Sequence, residues 1–157
     1  MFIVALFEPE IPPNTGNIIR LCANIGAKLH LIKPLGFDLE DKKLRRAGLD
    51  YREFVDIEMH ENYDAFLSQV SPARIFACST RGEKNYSSAE FQAGDVFLFG
   101  PETRGLPTSV LDELGMDNIL RLPMLANSRS LNLSNATSII LYEAWRQQDF
   151  SGAGICP

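Results

Sequence analysis

Short β-prone apolar runs alternate with helix-forming stretches along this chain, and that alternation limits the fold more than any other feature. Residues 2–7, 28–32, 54–58, 74–79, 95–100 and 118–122 read as strands. The first helix starts near Asn14 or Thr15, either of which can cap it, and runs to Ile25 with Gly26 at its stop. A short basic helix is expected over about 40–47, with further helices over 63–70 and 135–148 and a helical turn over 107–114. The final residues, SGAGICP, read as a loose tail. Strand–helix alternation implies an α/β fold with a mainly parallel sheet and helices on both faces. At 157 residues, one domain over 1–157 is the natural size.

Three loops follow strand ends and are built from small, polar or turn-forming residues: PEIPPNTGN (9–17), FGPETRGLP (99–107) and RLPMLANSRSLNLSN (121–135). Open α/β sheets place ligand sites at the carboxyl ends of their strands, so these loops are the candidate site. The motif inventory narrows the chemistry. Neither GxGxxG after a strand nor GxxxxGK[ST] occurs, and there is no GxSxG with a serving histidine. The glycines and prolines of FGPETRGLP instead suggest backbone groups shaped around a ligand.

Charge and cysteine usage bound the partners. A net charge of −5 opposes nonspecific coating of DNA, because such binding draws its affinity from phosphate neutralisation. The cations are unevenly spread, however: Lys42, Lys43, Arg45, Arg46 and Arg52 fall within KKLRRAGLDYR. That segment is a solvated helix face or a polyanion contact. Three cysteines without CxxC spacing fit free thiols in a reducing cytoplasm. His30 and His60 stand without a nearby Cys/His cluster, which argues against zinc, and no metal is implied. No apolar run approaches a membrane span, and the N-terminus reads as a first strand and not as a signal peptide.

Helical periodicity assigns faces. Ile18, Leu21, Cys22 and Ile25 form an apolar stripe on the first helix, leaving Asn17, Arg20 and Asn24 together on the opposite side. Arg20 is there either a plain surface cation or a bidentate phosphate clamp. In the last helix Ile139, Ile140, Leu141, Tyr142, Ala144 and Trp145 cover most of the circumference, so both sides need cover. The sheet supplies one side, and a second subunit or another part of the chain the other.

Four ordered blocks carry a family likeness: EPEIPPNTGNIIRLCANIGA, LRRAGLDY, FGPETRGLP and RLPMLANSRSLNLSNATSIILYEAWRQ. On these blocks the chain resembles the SPOUT superfamily of knotted RNA methyltransferases, and more narrowly the bacterial tRNA wobble-position 2′-O-methyltransferases that act on cytidine and modified uridine, notably in leucine tRNAs. TRGEKNYSS, residues 80–88, is the least family-like part. The resemblance implies a C-terminal trefoil knot over about 74–150, an exception to the rule against threaded chains. It implies S-adenosyl-L-methionine as cofactor, contacted by Cys78, Gly100, Glu102, Leu122, Ser130 and Leu133. It implies Arg20, Asn14, Glu102 and Asn132 as catalytic-site residues, and Arg20, Arg45, Arg46, Arg104 and Arg129 on the tRNA side. Arg104 and Arg129 could instead pair with nearby acids, and Tyr142 could support the cofactor loop or a dimer contact. A homodimer through the first and last helices is also implied, with no DNA, membrane or metal partner. A SPOUT enzyme acting on another tRNA position or on rRNA, and a noncatalytic RNA-binding module of the same fold, are the alternatives. The presence of Asn14, Arg20, Glu102, Ser130 and Asn132 together weighs against the second.

Overall fold

The computed structural model describes residues 1–39, 42 and 56–154. Seven strands of the described residues form one parallel sheet: β1 (Ile3–Phe7), β2 (Lys28–Ile32), β3 (Ile57–His60), β4 (Ile75–Cys78), β5 (Lys84–Asn85), β6 (Val96–Phe99) and β7 (Ile119–Arg121). Their order is β3-β2-β1-β6-β4-β7-β5, so the chain runs outward from β1 in one direction and then crosses to build the other half. Four helices of the described residues cover the sheet: α1 (Pro12–Ile25), α2 (Tyr63–Val70), α3 (Thr108–Leu114) and α4 (Leu133–Arg146).

Alternation along each strand sorts the core into two layers. Val4, Leu6, Leu29, Leu31, Phe97 and Phe99 face α1 and α4, where they meet Ile18, Ile19, Cys22, Ile140 and Leu141. Ala5, Phe7, Val96 and Leu98 face α2 and α3, against Phe66, Val70, Val110 and Leu111. Edge-on aromatic contacts fill the first layer: Phe91 stands 5.1 Å from Phe97 and 5.4 Å from Phe76 between ring centroids. The side-chain amide of Gln147, just past α4, donates to the Ala89 carbonyl and accepts from the Phe91 N–H. These bonds fix where the last helix sits.

Several expectations are corrected. Helix α1 starts at Pro12, two residues before the expected caps, with Ile11 as its cap residue and prolines in its first turn. Proline's fixed φ suits that position. Asn14 is thereby drawn into the helix and buried. Strand β3 starts at Ile57 and ends at His60, later than expected, while residues 54 and 55 lie outside the described residues. Strand β5 was not expected at all, since Lys84 and Asn85 carry no β signal. The tail is not loose where it begins: the Trp145 indole donates to the Ser151 carbonyl at 3.0 Å, and Phe150 packs edge-on against Trp145.

The amphipathic reading of α1 agrees with the structure. Ile18 and Cys22 are buried, Leu21 and Ile25 half-buried, and Asn17, Arg20 and Asn24 exposed. Among the described residues, this chain covers only one side of α4. Ile140, Leu141 and Ala144 are fully buried, whereas Ile139 and Tyr142 keep 37% and 46% of their surface. Apart from residue 42, the expected basic helix lies outside the described residues, Arg45 and Arg46 included.

Candidate active site

At the carboxyl ends of β1, β4, β6 and β7 the three loops singled out in the sequence close around a cavity of about 500 Å³. That volume lies within the range of small-molecule and cofactor sites. Cys78, Gly100, Glu102, Leu122, Ser130 and Leu133 all line it, as do Asn14, Arg104 and Asn132.

One wall follows β6. Here the backbone folds back so tightly that a Cβ on Gly100 would lie 2.4 Å from the Leu106 nitrogen and 2.5 Å from the Gly105 carbonyl carbon. Those are main-chain atoms that cannot swing aside, so only glycine fits. Residues 102–104 fasten this wall to the loop between β1 and α1 and to the first turn of α1. Glu102 accepts the Glu10 N–H at 2.8 Å, the Ile11 N–H at 3.1 Å and the Asn14 amide at 3.2 Å. Thr103 donates its hydroxyl to Glu10 at 2.8 Å, and its N–H donates at 3.2 Å. These bonds hold the Glu10 carboxyl below the usual carboxylate range. Arg104 pairs with Glu8.

The opposite wall is the loop leading into α4. Its anchor is Asn132, whose side-chain oxygen caps the helix by accepting the Ser134 N–H at 2.9 Å and the Ser134 hydroxyl at 2.7 Å. The Asn132 amide donates to the Asn14 oxygen at 2.8 Å. Glu102, Asn14 and Asn132 therefore form one hydrogen-bonded chain that joins all three loops. A carboxylate committed to three donors, and two amides committed to each other, suit alignment of loops better than proton transfer. Burial pushes the Cys78 thiol well above its usual pKa, so it stays neutral in the cavity wall.

Not every expected residue meets the cavity. Arg20 and Arg129 are exposed and do not line it, although Ser130 beside Arg129 does. Arg45 and Arg46 lie outside the described residues. Tyr142 is on the exposed side of α4. The pairing of Arg104 with a nearby acid was one of the two expected fates of that residue, but neither Glu8 as the acid nor the Glu10–Thr103 contact was read from the sequence. The matching of two acids in FEPE to Thr103 and Arg104 in PETR was the available signal.

The histidines also need correction, because the sheet brings them together. Parallel pairing sets His30 beside Glu58 and Ile32 beside His60, so His60 reaches His30 across β2 and β3 at 2.9 Å between ring nitrogens. The other His30 nitrogen is buried without a hydrogen-bond partner among the described residues and lies 3.9 Å from Glu58. His30, Glu58 and His60 thus form a group with metal-ligand chemistry that sequence spacing had concealed. The paired nitrogens point at each other, and none of the three residues lines the cavity. Burial lowers the pKa of both rings.

Comparison with known proteins gives a consistent result. The model of the SpoU rRNA Methylase family matches residues 1–142. A tRNA (cytidine(34)-2'-O)-methyltransferase of Methylovorus glucosotrophus is 58% identical over 153 residues, covering 98% of this chain and 99% of the relative. A solved structure concerned with the 2-OH methylation of C/U34 on tRNA superposes with a TM-score of 0.91 at 48% identity, over 96% of this chain and 97% of that one. The SpoU methyltransferase AviRb from Streptomyces viridochromogenes, in complex with the cofactor AdoMet, aligns with a TM-score of 0.84 at 27% identity. That match spans 96% of this chain and 58% of AviRb.

Proposed function

This chain belongs to the SpoU methylase family, and from that premise we propose that it transfers a methyl group from S-adenosylmethionine to the ribose 2′-hydroxyl of the wobble nucleotide in tRNA, cytidine or modified uridine. The observation that carries the reading is the cavity. Six residues expected from the family likeness to hold the cofactor come from the end of β4 and from the segments after β6 and β7, and all six line it. Its mixed wall fits the cofactor's chemistry. Leu122, Leu133 and Phe99 offer apolar surface, and the backbone of residues 100–105 offers hydrogen bonds.

When bound, S-adenosylmethionine supplies an electrophilic methyl group on sulfur. The chain's own residues then have two tasks, to hold the cofactor in one pose and to bring a hydroxyl oxygen into line. Alignment of this kind can contribute on the order of 7–11 kcal/mol to lowering a barrier. Glu102, Asn14 and Asn132 serve it by locking the loops to one another. Arg20 acts from the exposed face of α1 as a clamp on a substrate phosphate, orienting the hydroxyl and stabilising developing negative charge. A guanidinium with a pKa above about 12 is too weak a base for proton removal near neutral pH. Arg104 and Arg129 extend this cationic surface at the cavity mouth, and Arg45 and Arg46 belong to the same substrate side.

The same reading takes residues 1–157 as one domain, with the segment from about 74 to 150 threaded as a trefoil knot. It also takes the working unit as a homodimer in the cytoplasm, needing no metal. The exposed Ile139 and Tyr142 on α4 support a second copy at that face. In such a dimer Arg20 reaches the partner's cofactor cavity. No helix among the described residues is long and apolar enough to cross a membrane.

Incubating the protein with tRNA and S-adenosylmethionine, followed by mass spectrometry of the nucleosides and of ribonuclease fragments spanning the anticodon, tests the activity. Ribose-methylated nucleosides at position 34, formed with or without a chelator, are expected. Methyl groups on bases, at other positions, or only on rRNA would overturn the substrate assignment. Mixing an Arg20→Ala subunit with one disrupted at Ser130 tests the shared site. Partial recovery of activity is expected, and a stable dimer without recovery would reject the sharing.

A further inference from the structure

The outer rim of the cavity carries an acid where a polyanionic substrate would be expected to meet none. Strand β1 ends at Phe7, and the chain then turns at Glu8 with φ +46°, in the left-handed region that non-glycine residues rarely occupy. The turn is held, because the Glu8 N–H donates to the Ile32 carbonyl at 2.9 Å and so extends the bond ladder between β1 and β2. From that fixed backbone the Glu8 carboxylate meets Arg104, which lines the cavity. The acid is the more enclosed partner, its side chain 24% exposed against 55% for Arg104. Glu10 fastens the adjacent Thr103 in the same way.

Stability alone does not account for this arrangement. Ion pairs at this level of exposure contribute little to folding, and a left-handed glutamate carries a backbone cost. A carboxylate beside an RNA-binding cavity also repels its substrate. What the pairing does provide is direction. A guanidinium has five N–H donors, and a carboxylate on one edge leaves the others aimed outward in a fixed fork. A long side chain held this way loses less rotamer freedom when a phosphate or ribose oxygen arrives.

We propose that Glu8 is a positioning residue that presets Arg104 at the cavity mouth for an oxygen of the tRNA backbone. This rests on the tRNA methyltransferase reading above. Glu8 touches no substrate and acts through Arg104, which exchanges none of its hold on Glu8 when the RNA binds.

A double-mutant cycle in tRNA affinity tests it. Fluorescence anisotropy gives the tRNA Kd for the full-length protein with Glu8→Gln, Arg104→Gln or both changes, and calorimetry gives the affinity for S-adenosylhomocysteine. Glu8→Gln should raise the Kd and KM for tRNA about tenfold, as loss of a phosphate contact would, with cofactor affinity within about twofold of wild type. In the Arg104→Gln background the Glu8 change should have no further effect. Glu8→Gly removes the carboxylate while relaxing the left-handed backbone. It should weaken tRNA binding to the same extent with an undiminished Tm, which separates the proposal from a folding defect. Losses that multiply in the double variant, or tighter tRNA binding by Glu8→Gln, would overturn it. If the wild-type protein fails to methylate tRNA, the functional reading fails, yet the Kd cycle still reports whether Glu8 acts through Arg104.

Discussion

The two walls of the cavity are built in different ways. Residues 100–106 are held by main-chain contact at Gly100 and by a ladder of side-chain bonds from Glu102, Thr103 and Arg104 to the β1–α1 loop. Residues 123–131 face solvent for most of their length. Leu125 keeps 86% of its surface, Asn127 turns through φ +65°, and the backbone bond within the stretch runs from Ser128 to Leu125. Its firm point is Asn132, which ties it back to Asn14. The contrast shows a division of labour. One wall is pinned by contacts within the chain, and the other has few buried contacts, which makes it the stretch expected to close over a ligand.

The sharpest way to break this contrast is at Gly100. Gly100→Ala pushes a methyl group into the Leu106 and Gly105 backbone and must displace the pinned wall. Affinity for S-adenosylhomocysteine should fall by a factor of about 100 or more, with a folded circular dichroism spectrum retained. Calorimetry reads this, and an affinity within a few-fold of wild type would mean that the wall yields.

Next in size is the hydrogen-bonded chain. Glu102→Ala leaves the Glu10 and Ile11 N–H groups and the Asn14 amide without their acceptor. A loss of about 1–3 kcal/mol in stability is expected, read as a lowered Tm, together with weaker cofactor binding. On the second wall the outcome is the opposite. Leu125→Ser should leave stability within about 0.5 kcal/mol, because the side chain is almost wholly exposed. A marked fall in Tm would show that this wall is packed after all.

Strand and helix positions were readable because apolar alternation and strand-end turns are local signals. Strands over 28–32 and helix 63–70 appear where periodicity put them. The three loops were also recognisable, since glycine, proline and small polar residues cluster there. What the sequence did not reveal was pairing across the chain. Asn14 and Asn132 are 118 positions apart, and Glu102 and Glu10 are 92 apart, so their bonds follow from topology and not from spacing. The same reason hid the histidine pair. His30 and His60 meet because β2 and β3 are adjacent parallel strands, and no local pattern announces that. The early start of α1 was missed because a capping side chain was the signal sought, and the prolines at its first two positions have no N–H that needs a cap.

The histidine pair supplies the smallest expected effect and a control for the walls. Burial lowers both pKa values below the ordinary 6.5, so the unfolded chain binds more protons than the folded one as the solution is acidified. Stability is then fully present above pH 6.5 and falls as the pH drops below it. Thermal melts between pH 7.5 and 5.5 should show a declining Tm, and the slope should flatten in His30→Gln. Ligand affinity of the folded protein should not follow this slope, since neither histidine lines the cavity.

Hydrogen–deuterium exchange with and without S-adenosylhomocysteine tests the division between the walls most directly. Amides of residues 101–106 should be protected before the ligand is added and change little on binding. Amides of residues 124–131 should exchange quickly at first and gain most of the new protection. Equal protection of both stretches in the free protein, or ligand-induced protection that bypasses both, would contradict a cavity with one preformed and one closing wall.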